Sequence, residues 1–369
     1  MDSVPEFRRT SKGHVIYKLR DMVFLLIIGR MGRCKGRPEI IAYGKKHLRK
    51  LQSMGMFKEG IPSESTLCRV EAGIDSVGMA DLHAEFAKKF QVRDKNGKLK
   101  VVAIDGKCMR GTLQENGKTP DILGAYSPSD GLTLATEMCE KKSNEITAAP
   151  KLIDKIDLKG KVVTADAMFC QKDILNHVTE RDGHFLVEVK ANQKKLKWGL
   201  EDSMAEATPT DAYVGDVTLD HGRIESRRCR KYKGADLKVD EGKWGSTLTF
   251  ICVETSTIQK RGKEESSEKR IYMTDLDLDA RTLDGIARGH WSIETMHWSL
   301  DTNMRQDSIR RKHVRSARNL DTIQRLCLSL LSIWRNNRKK KSDKRLGDAE
   351  LLRRASFDFP FLMDLLSLK

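Results

Sequence analysis

Leu99-Lys100-Val101-Val102-Ala103-Ile104-Asp105-Gly106-Lys107 (residues 99–107) is the stretch that decides how this chain folds. A short apolar run rich in branched residues, stopped by Asp-Gly, has the length and composition of a buried strand. The same grammar returns in Val162-Val163-Thr164-Ala165-Asp166-Ala167. In both, a carboxylate stands where the strand ends. That position is poor for packing and good for holding a hard cation, because Mg²⁺ prefers oxygen ligands.

Working outward, Asp121–Ser127 and Leu132–Cys139 flank Pro128-Ser129-Asp130-Gly131 and form a hairpin signature. Ile146–Ile156 reads as helix, Lys161–Ala165 as strand, Gln171–Arg181 as helix, His184–Lys190 as strand and Gln193–Met204 as helix. Three strands followed by helix–strand alternation match an α/β sheet of the ribonuclease H-like kind. Its first and fourth strands run side by side, so Asp105 and Asp166 are expected to emerge together at one sheet edge, where open α/β sheets bind ligands. Residues 205–277 break the alternation with strand signals at Ala212–Leu219, Ile224–Tyr232, Leu248–Glu254 and Glu268–Asp275, which read as a β-strand insertion. Helix returns over Thr282–Asn303 and Asn319–Arg335 and completes the catalytic domain over residues 278–335.

Residues 1–95 read as a helical N-terminal domain, with helices at Tyr17–Met31, Glu39–Met54 and Leu67–Glu71. Small basic helices joined by tight turns suit a DNA reader of the helix-turn-helix kind, so residues 1–95 are expected to form a DNA-binding domain; a helical cap on the next domain is the plain alternative. The apolar run Met22–Ile28 is too short to span a bilayer and reads as a buried helix. The basic run Arg335–Arg345 reads as exposed, so residues 336–369 are expected to form a basic C-terminal tail.

The net charge of the 369 residues is +16, and it is concentrated. Residues 1–60 carry +9 and residues 288–345 carry +10, leaving the middle slightly acidic. Two basic ends fit a polyanionic partner such as nucleic acid, although solvated lysine-rich faces on an ordinary protein look the same. The eight cysteines stand singly, without Cys-x-x-Cys or zinc spacing, and read as reduced thiols of a cytoplasmic protein. The phosphate-loop pattern Gly-x-x-x-x-Gly-Lys-[Ser/Thr] is absent from the sequence, which argues against ATP hydrolysis.

A third acid, Glu294, lies in a dense helical segment with Arg288, His290, Trp291, His297, Trp298, Asp301 and Arg305. Imidazole, indole and guanidinium groups around one carboxylate suit a surface that meets a metal and a DNA backbone; packing of the tryptophans on the sheet is the plain alternative. Three carboxylates holding two Mg²⁺ or Mn²⁺ ions suit in-line phosphoryl transfer. Lys107, Lys190, Asn192 and Arg223 lie near strand ends and are candidates for phosphate contact beside Arg288, His290, Trp291, His297, Trp298 and Arg305.

Several short motifs occur in a specific order: Pro62-Ser63-Glu64-Ser65-Thr66-Leu67-Cys68-Arg69, Ile104-Asp105-Gly106-Lys107, Ser143-Asn144-Glu145-Ile146 and Thr164-Ala165-Asp166-Ala167. Val189-Lys190-Ala191-Asn192-Gln193, His221-Gly222-Arg223-Ile224-Glu225-Ser226-Arg227 and Arg288-Gly289-His290-Trp291-Ser292-Ile293-Glu294 follow. Across nearly its whole length the chain resembles the DDE transposases of bacterial insertion sequences, in the H-repeat-associated branch (the ISAs-one type). The resemblance implies a catalytic triad of Asp105, Asp166 and Glu294 on a ribonuclease H-like fold. It also implies cleavage at the element's ends and strand transfer into target DNA, carried out by a nucleoid-associated homodimer without a membrane partner. In related enzymes a Tyr-x-x-Arg-x-x-x-Glu-x-x-x-x-x-x-Lys signature surrounds the glutamate; here those positions hold Ala287, His290, Glu294 and Asp301. A nuclease of the same fold that does not join strands, and a DNA-binding protein whose catalysis is unused, are the competing expectations.

Overall fold

The computed structural model describes residues 4–367 except 12, 14, 93–98, 113–118, 140–144, 221–222, 238, 240–243, 245–247 and 260–264. The chain divides into two compact units. Unit 1 comprises residues 1–93, 106–148 and 294–369, and unit 2 comprises residues 94–105 and 149–293. Three elements run through the division: β1 (Lys100–Cys108), α6 (Glu145–Asp154) and α9 (Ala280–Thr302).

Unit 2 holds the sheet on which the aspartates sit. Its strands are β1, β4 (Lys161–Ala165), β5 (His184–Val189), β6 (Asp211–Val214), β7 (Thr218–Asp220), β8 (Arg223–Lys233), β9 (Thr249–Gln259) and β10 (Glu265–Thr274). They are ordered β1-β4-β5-β10-β9-β8-β6 in space, with β7 also on β8. β1, β4 and β5 are parallel; β10 lies antiparallel on β5 and starts an antiparallel run to β6. The expected insertion therefore extends the central sheet itself. Apolar residues on one sheet face (Val162, Leu186, Cys229, Ile251, Val253) pack under Leu283, Ile286 and Ala287 of α9. Helices α7 (Lys172–Thr179) and α8 (Lys194–Glu206) fill the crossovers where the sequence pattern placed them.

Unit 1 is mainly helical. It contains α1 (Leu19–Met31), α2 (Arg37–Lys46), α3 (Leu48–Ser53), α4 (Glu64–Gly73) and α5 (Ser76–Phe90), with the hairpin β2 (Asp121–Ser127) and β3 (Leu132–Cys139) beside the C-terminal end of β1. The spatial orders β3-β2-β1 in unit 1 and β1-β4-β5 in unit 2 are those of a ribonuclease H-like α/β fold preceded by a helical region. Caps fix the helix starts: the Ser63 hydroxyl accepts from Thr66 N, and the Asp75 carboxylate from Val77 N and Gly78 N. The span expected as one helix over Glu39–Met54 is two, broken at His47. The Met22–Ile28 run is wholly buried, as its apolar pattern required, and among the described residues no helix is long and apolar enough to cross a membrane.

The C-terminal tail is corrected. After α10 (Val314–Asn337) the chain forms α11 (Lys341–Lys344), α12 (Asp348–Phe357) and α13 (Phe359–Leu366). Leu351, Leu352, Phe359, Phe361, Leu362 and Leu365 are buried, and the Trp334 indole donates to Asp364 Oδ2 at 2.8 Å. Burying such side chains stabilises by about 1.5–3 kcal/mol each, which outweighs the charge of the preceding basic run. Leu362→Ala is expected to cost about 2–4 kcal/mol in urea unfolding; an unchanged midpoint would mean that the last helices are detached in solution.

Candidate active site

Parallel pairing sets the two aspartates level. Ile104 of β1 is registered with Ala165 of β4, the last pair of the ladder; Asp105 follows on β1, and Asp166 follows β4 as the first residue of the turn beyond it. The expectation that both acids end their strands is corrected for Asp105, because β1 runs on to Cys108 while β4 stops before Asp166. Neighbouring strands lie about 4.8 Å apart, which sets the two residues next to each other where the β1–β4 ladder ends.

His290, 9% exposed on α9, ties Asp166 to the strand beneath it. Its Nε2 lies 3.4 Å from Asp166 Oδ1, and its Nδ1 lies 3.2 Å from the Thr164 hydroxyl. A carboxylate only accepts, so Nε2 carries the proton and, in the neutral ring, Nδ1 accepts from Thr164. The His290 N–H holds the Asp166 carboxyl below its ordinary range; partial burial opposes this, and the charges of His290, Lys190 and Arg270 add to it. Asp166 therefore stays ionised further into acid than a free aspartate. His290→Ala is expected to reduce DNA cleavage by about 10–100-fold, the usual cost of losing a group that orients a working carboxylate. A loss below threefold in single-turnover cleavage would remove His290 from that role.

The turn after Asp166 is braced from the next crossover. The Asn192 amide donates to Ala167 O at 2.6 Å, and the Gln193 amide donates to Cys170 O at 2.8 Å. Asn192, exposed at the surface, thus has a bracing role that its place just after β5 did not reveal.

The remaining candidates in unit 2 lie around α9 and the antiparallel strands. Trp291 is half-buried, with the guanidinium of Arg227 5.8 Å and that of Arg270 5.2 Å from its ring centroid. Arg227 is in turn held by Asp284, Nε to Oδ1 2.6 Å, in a buried pair. The Trp291 ring therefore serves as a platform for cations. Arg288 is exposed and reaches Glu225 at 3.9 Å; Arg223 is exposed at the start of β8. His221 and Gly222 of their motif, and Ser143 and Asn144 of another, lie outside the described residues.

In unit 1, Lys107 overturns an expectation. Its side chain is 6% exposed, with Nζ 2.7 Å from Asp301 Oδ1 and 3.5 Å from Asp307 Oδ1. Two carboxylates take the charge that was expected to meet DNA. Asp301 occupies the position where the signature has lysine, so the cation partnering this helix comes from β1 instead. Gly106, just after Asp105, is pressed by Glu145 of α6: a Cβ there would lie 2.4 Å from Glu145 Oε1. Glu294 is exposed on α9, one helical turn beyond His290; His297 is half-buried and Trp298 is 60% exposed. Arg305 follows α9 in a left-handed conformation, φ 54°, and its carbonyl accepts from Ser308. Among the described residues no group of three or more His, Cys, Asp or Glu is gathered to hold a metal ion.

A family model described as Transposase DDE domain matches residues 96–348. The chain belongs to the DDE transposases. A second model, described as DDE_Tnp_1-associated, matches residues 1–87, which cover the N-terminal helices. YncI of Escherichia coli O157:H7 is 32% identical to this transposase over 340 residues, 89% of this chain and 85% of that protein. YhhI of Escherichia coli strain K12, named as H repeat-associated, is 29% identical over 99% of this chain and 96% of its own. The transposase thus falls in the H-repeat-associated branch. A piggyBac transposase synaptic complex with hairpin DNA aligns at a TM-score of 0.48 and 12% identity, covering 97% of this chain and 76% of that one, too distant a likeness to carry an argument.

Proposed function

We propose that this transposase cuts DNA at the ends of an insertion sequence and joins the freed 3′ ends to target DNA, with Asp105, Asp166 and Glu294 as its catalytic carboxylates. The observation that carries the reading is the placement of Asp105 and Asp166 directly after the last registered pair of the parallel strands β1 and β4, with the Asp166 carboxyl held below its ordinary range by His290. Glu294 joins them on its place in the ordered motifs and its position one turn beyond His290 on an unbroken helix.

The donor chemistry fits Mg²⁺ or Mn²⁺: two carboxylates offer hard oxygen ligands on one row. Asp105 and Asp166 would hold the ions, with Glu294 as the third ligand. When bound, the ions supply activation of the attacking hydroxyl and stabilisation of the leaving oxygen. The chain's own part is to hold Asp166 ionised and oriented through His290, and to fix the turn behind it through Asn192 and Gln193. Two ends must meet before joining, so a homodimer is the expected working form, associated with the nucleoid DNA of a bacterial cytoplasm.

The test is Mg²⁺-dependent cleavage of duplexes carrying candidate terminal repeats, read for both cut and joined product, with Asp166→Asn alongside. Cut and joined product from the unsubstituted protein alone supports the reading. Cutting without joining supports the nuclease instead, and cleavage by Asp166→Asn at an unreduced rate overturns the site.

A further inference from the structure

The row that carries the two aspartates continues onto β5. Ala165 is registered with Val187, so Glu188 stands level with Asp166 as Asp166 stands level with Asp105. Glu188 is 5% exposed, an acid inside a strand of apolar neighbours. Its Oε2 lies 2.9 Å from Lys190 Nζ, two residues along the same face of the strand.

β10 closes the other side of this arrangement. Tyr272 pairs with Glu188 and Ile271 with Val189, the last registered pair, and Arg270 and Lys190 are the residues that follow it on the two chains. Arg270 is oriented twice over, by Glu268 (Nε to Oε1 2.9 Å) and by the Trp291 ring. The Lys190 side chain is 53% exposed and that of Arg270 27% exposed. Both charges act on Asp166.

Each cation has a carboxylate that fixes it and still shows donors to solvent. An ammonium supplies a point charge, and a guanidinium supplies a planar fork that matches phosphate oxygens. Directly beyond the β5–β10 ladder, with both charges felt at Asp166, the two cations suit one phosphate group. The helix around Glu294 does not offer the same: the positions of the signature's arginine and lysine hold His290 and Asp301, the first buried on Asp166 and the second paired with Lys107.

We propose that Lys190 and Arg270 form a two-cation subsite for a single backbone phosphate of the DNA strand next to the scissile bond. The subsite takes over from β5 and β10 the work that related enzymes assign to the glutamate's own helix. It rests on the DNA-cleaving reading above.

The test is equilibrium binding of the full-length protein to labelled end-bearing duplex by fluorescence anisotropy, over a salt series in EDTA so that no cleavage occurs. Losing one phosphate contact lowers the slope of log K against log salt by about 0.9. Lys190→Ala and Arg270→Ala are each expected to weaken binding about tenfold and to reduce the slope. The double variant is expected to lose about one phosphate's worth of slope rather than two, because both cations hold the same group. Lys190→Arg and Arg270→Lys, which keep the charge, are expected to retain the slope and so separate lost contact from lost fold. An unchanged slope in both alanine variants overturns the subsite, even if Asp105→Ala abolishes cleavage and the catalytic reading stands. A reduced slope with undiminished cleavage by Asp105→Ala and Asp166→Asn upholds the phosphate contact and overturns the catalytic reading.

Discussion

Asp166→Asn is expected to cut end-bearing DNA at least about 10³-fold more slowly than the unsubstituted protein, a barrier increase of about 4 kcal/mol. The substitution is chosen for what it leaves in place. An asparagine side-chain oxygen can still accept from His290 Nε2, and the turn beyond it keeps its braces from Asn192 and Gln193. The fold and the DNA affinity are therefore expected to hold, with binding in EDTA within about threefold, while the negative charge disappears. Asp105→Ala should match the kinetic loss from the adjacent strand, an independent approach to the same row. Residual single-turnover cleavage within tenfold of the unsubstituted protein in both variants would mean that these two aspartates are not the reacting centre.

The second large effect is structural and lies in unit 1. Glu71 of α4 is fully buried, and its carboxylate is clamped by two guanidinium groups: Arg37 Nη2 at 2.7 Å from Oε2 and Arg311 Nη2 at 2.7 Å from Oε1. Asn319 of α10 donates to the Glu71 carbonyl at 2.8 Å and to that of Ile74 at 3.1 Å, which seats the end of α4 on the spine helix. Removing the carboxylate strands the Arg311 charge, 4% exposed, with nothing to neutralise it. Breaking a buried pair from one side costs about 3–5 kcal/mol, so Glu71→Ala is expected to lower the unfolding free energy read from the helical signal in urea by that amount. Glu71→Gln keeps the shape and one acceptor and should fall between. A shift under about 1 kcal/mol for Glu71→Ala would show that the cluster is hydrated rather than buried.

Much of the sheet could be read directly because its signals are local. Asp121–Ser127, Leu132–Cys139 and Lys161–Ala165 form where the apolar runs and their Gly, Pro and Asp boundaries placed them. The last helices could not, because the lysine and arginine run before them dominates the composition while Leu351, Leu352, Phe359 and Leu362 are interrupted by charged residues and Pro360. At the site, the ends of two apolar runs announced Asp105 and Asp166, although β1 itself continues past Asp105 to Cys108 where it meets the hairpin. Lys107 misled, since nothing near it in sequence reveals that Asp301 would reach its ammonium. Glu188 and Arg270 were passed over for the opposite reason: each sits inside a run that reads as plain strand. Their meaning comes from register between strands, although a lone acid in Phe-Leu-Val-Glu-Val is a signal that could have been heeded.

The antiparallel seating of β10 on β5 has a consequence for how the protein is made. Synthesis delivers β5 about eighty residues before the strand that covers it, so a nascent chain carries an open, apolar edge for several seconds at ordinary elongation rates. Pairings so distant in sequence also form slowly. Newly made copies, more than finished ones, are then the population exposed to proteases and to aggregation, so the cell's supply of active enzyme would be set partly by the ribosome's pace through residues 190–274.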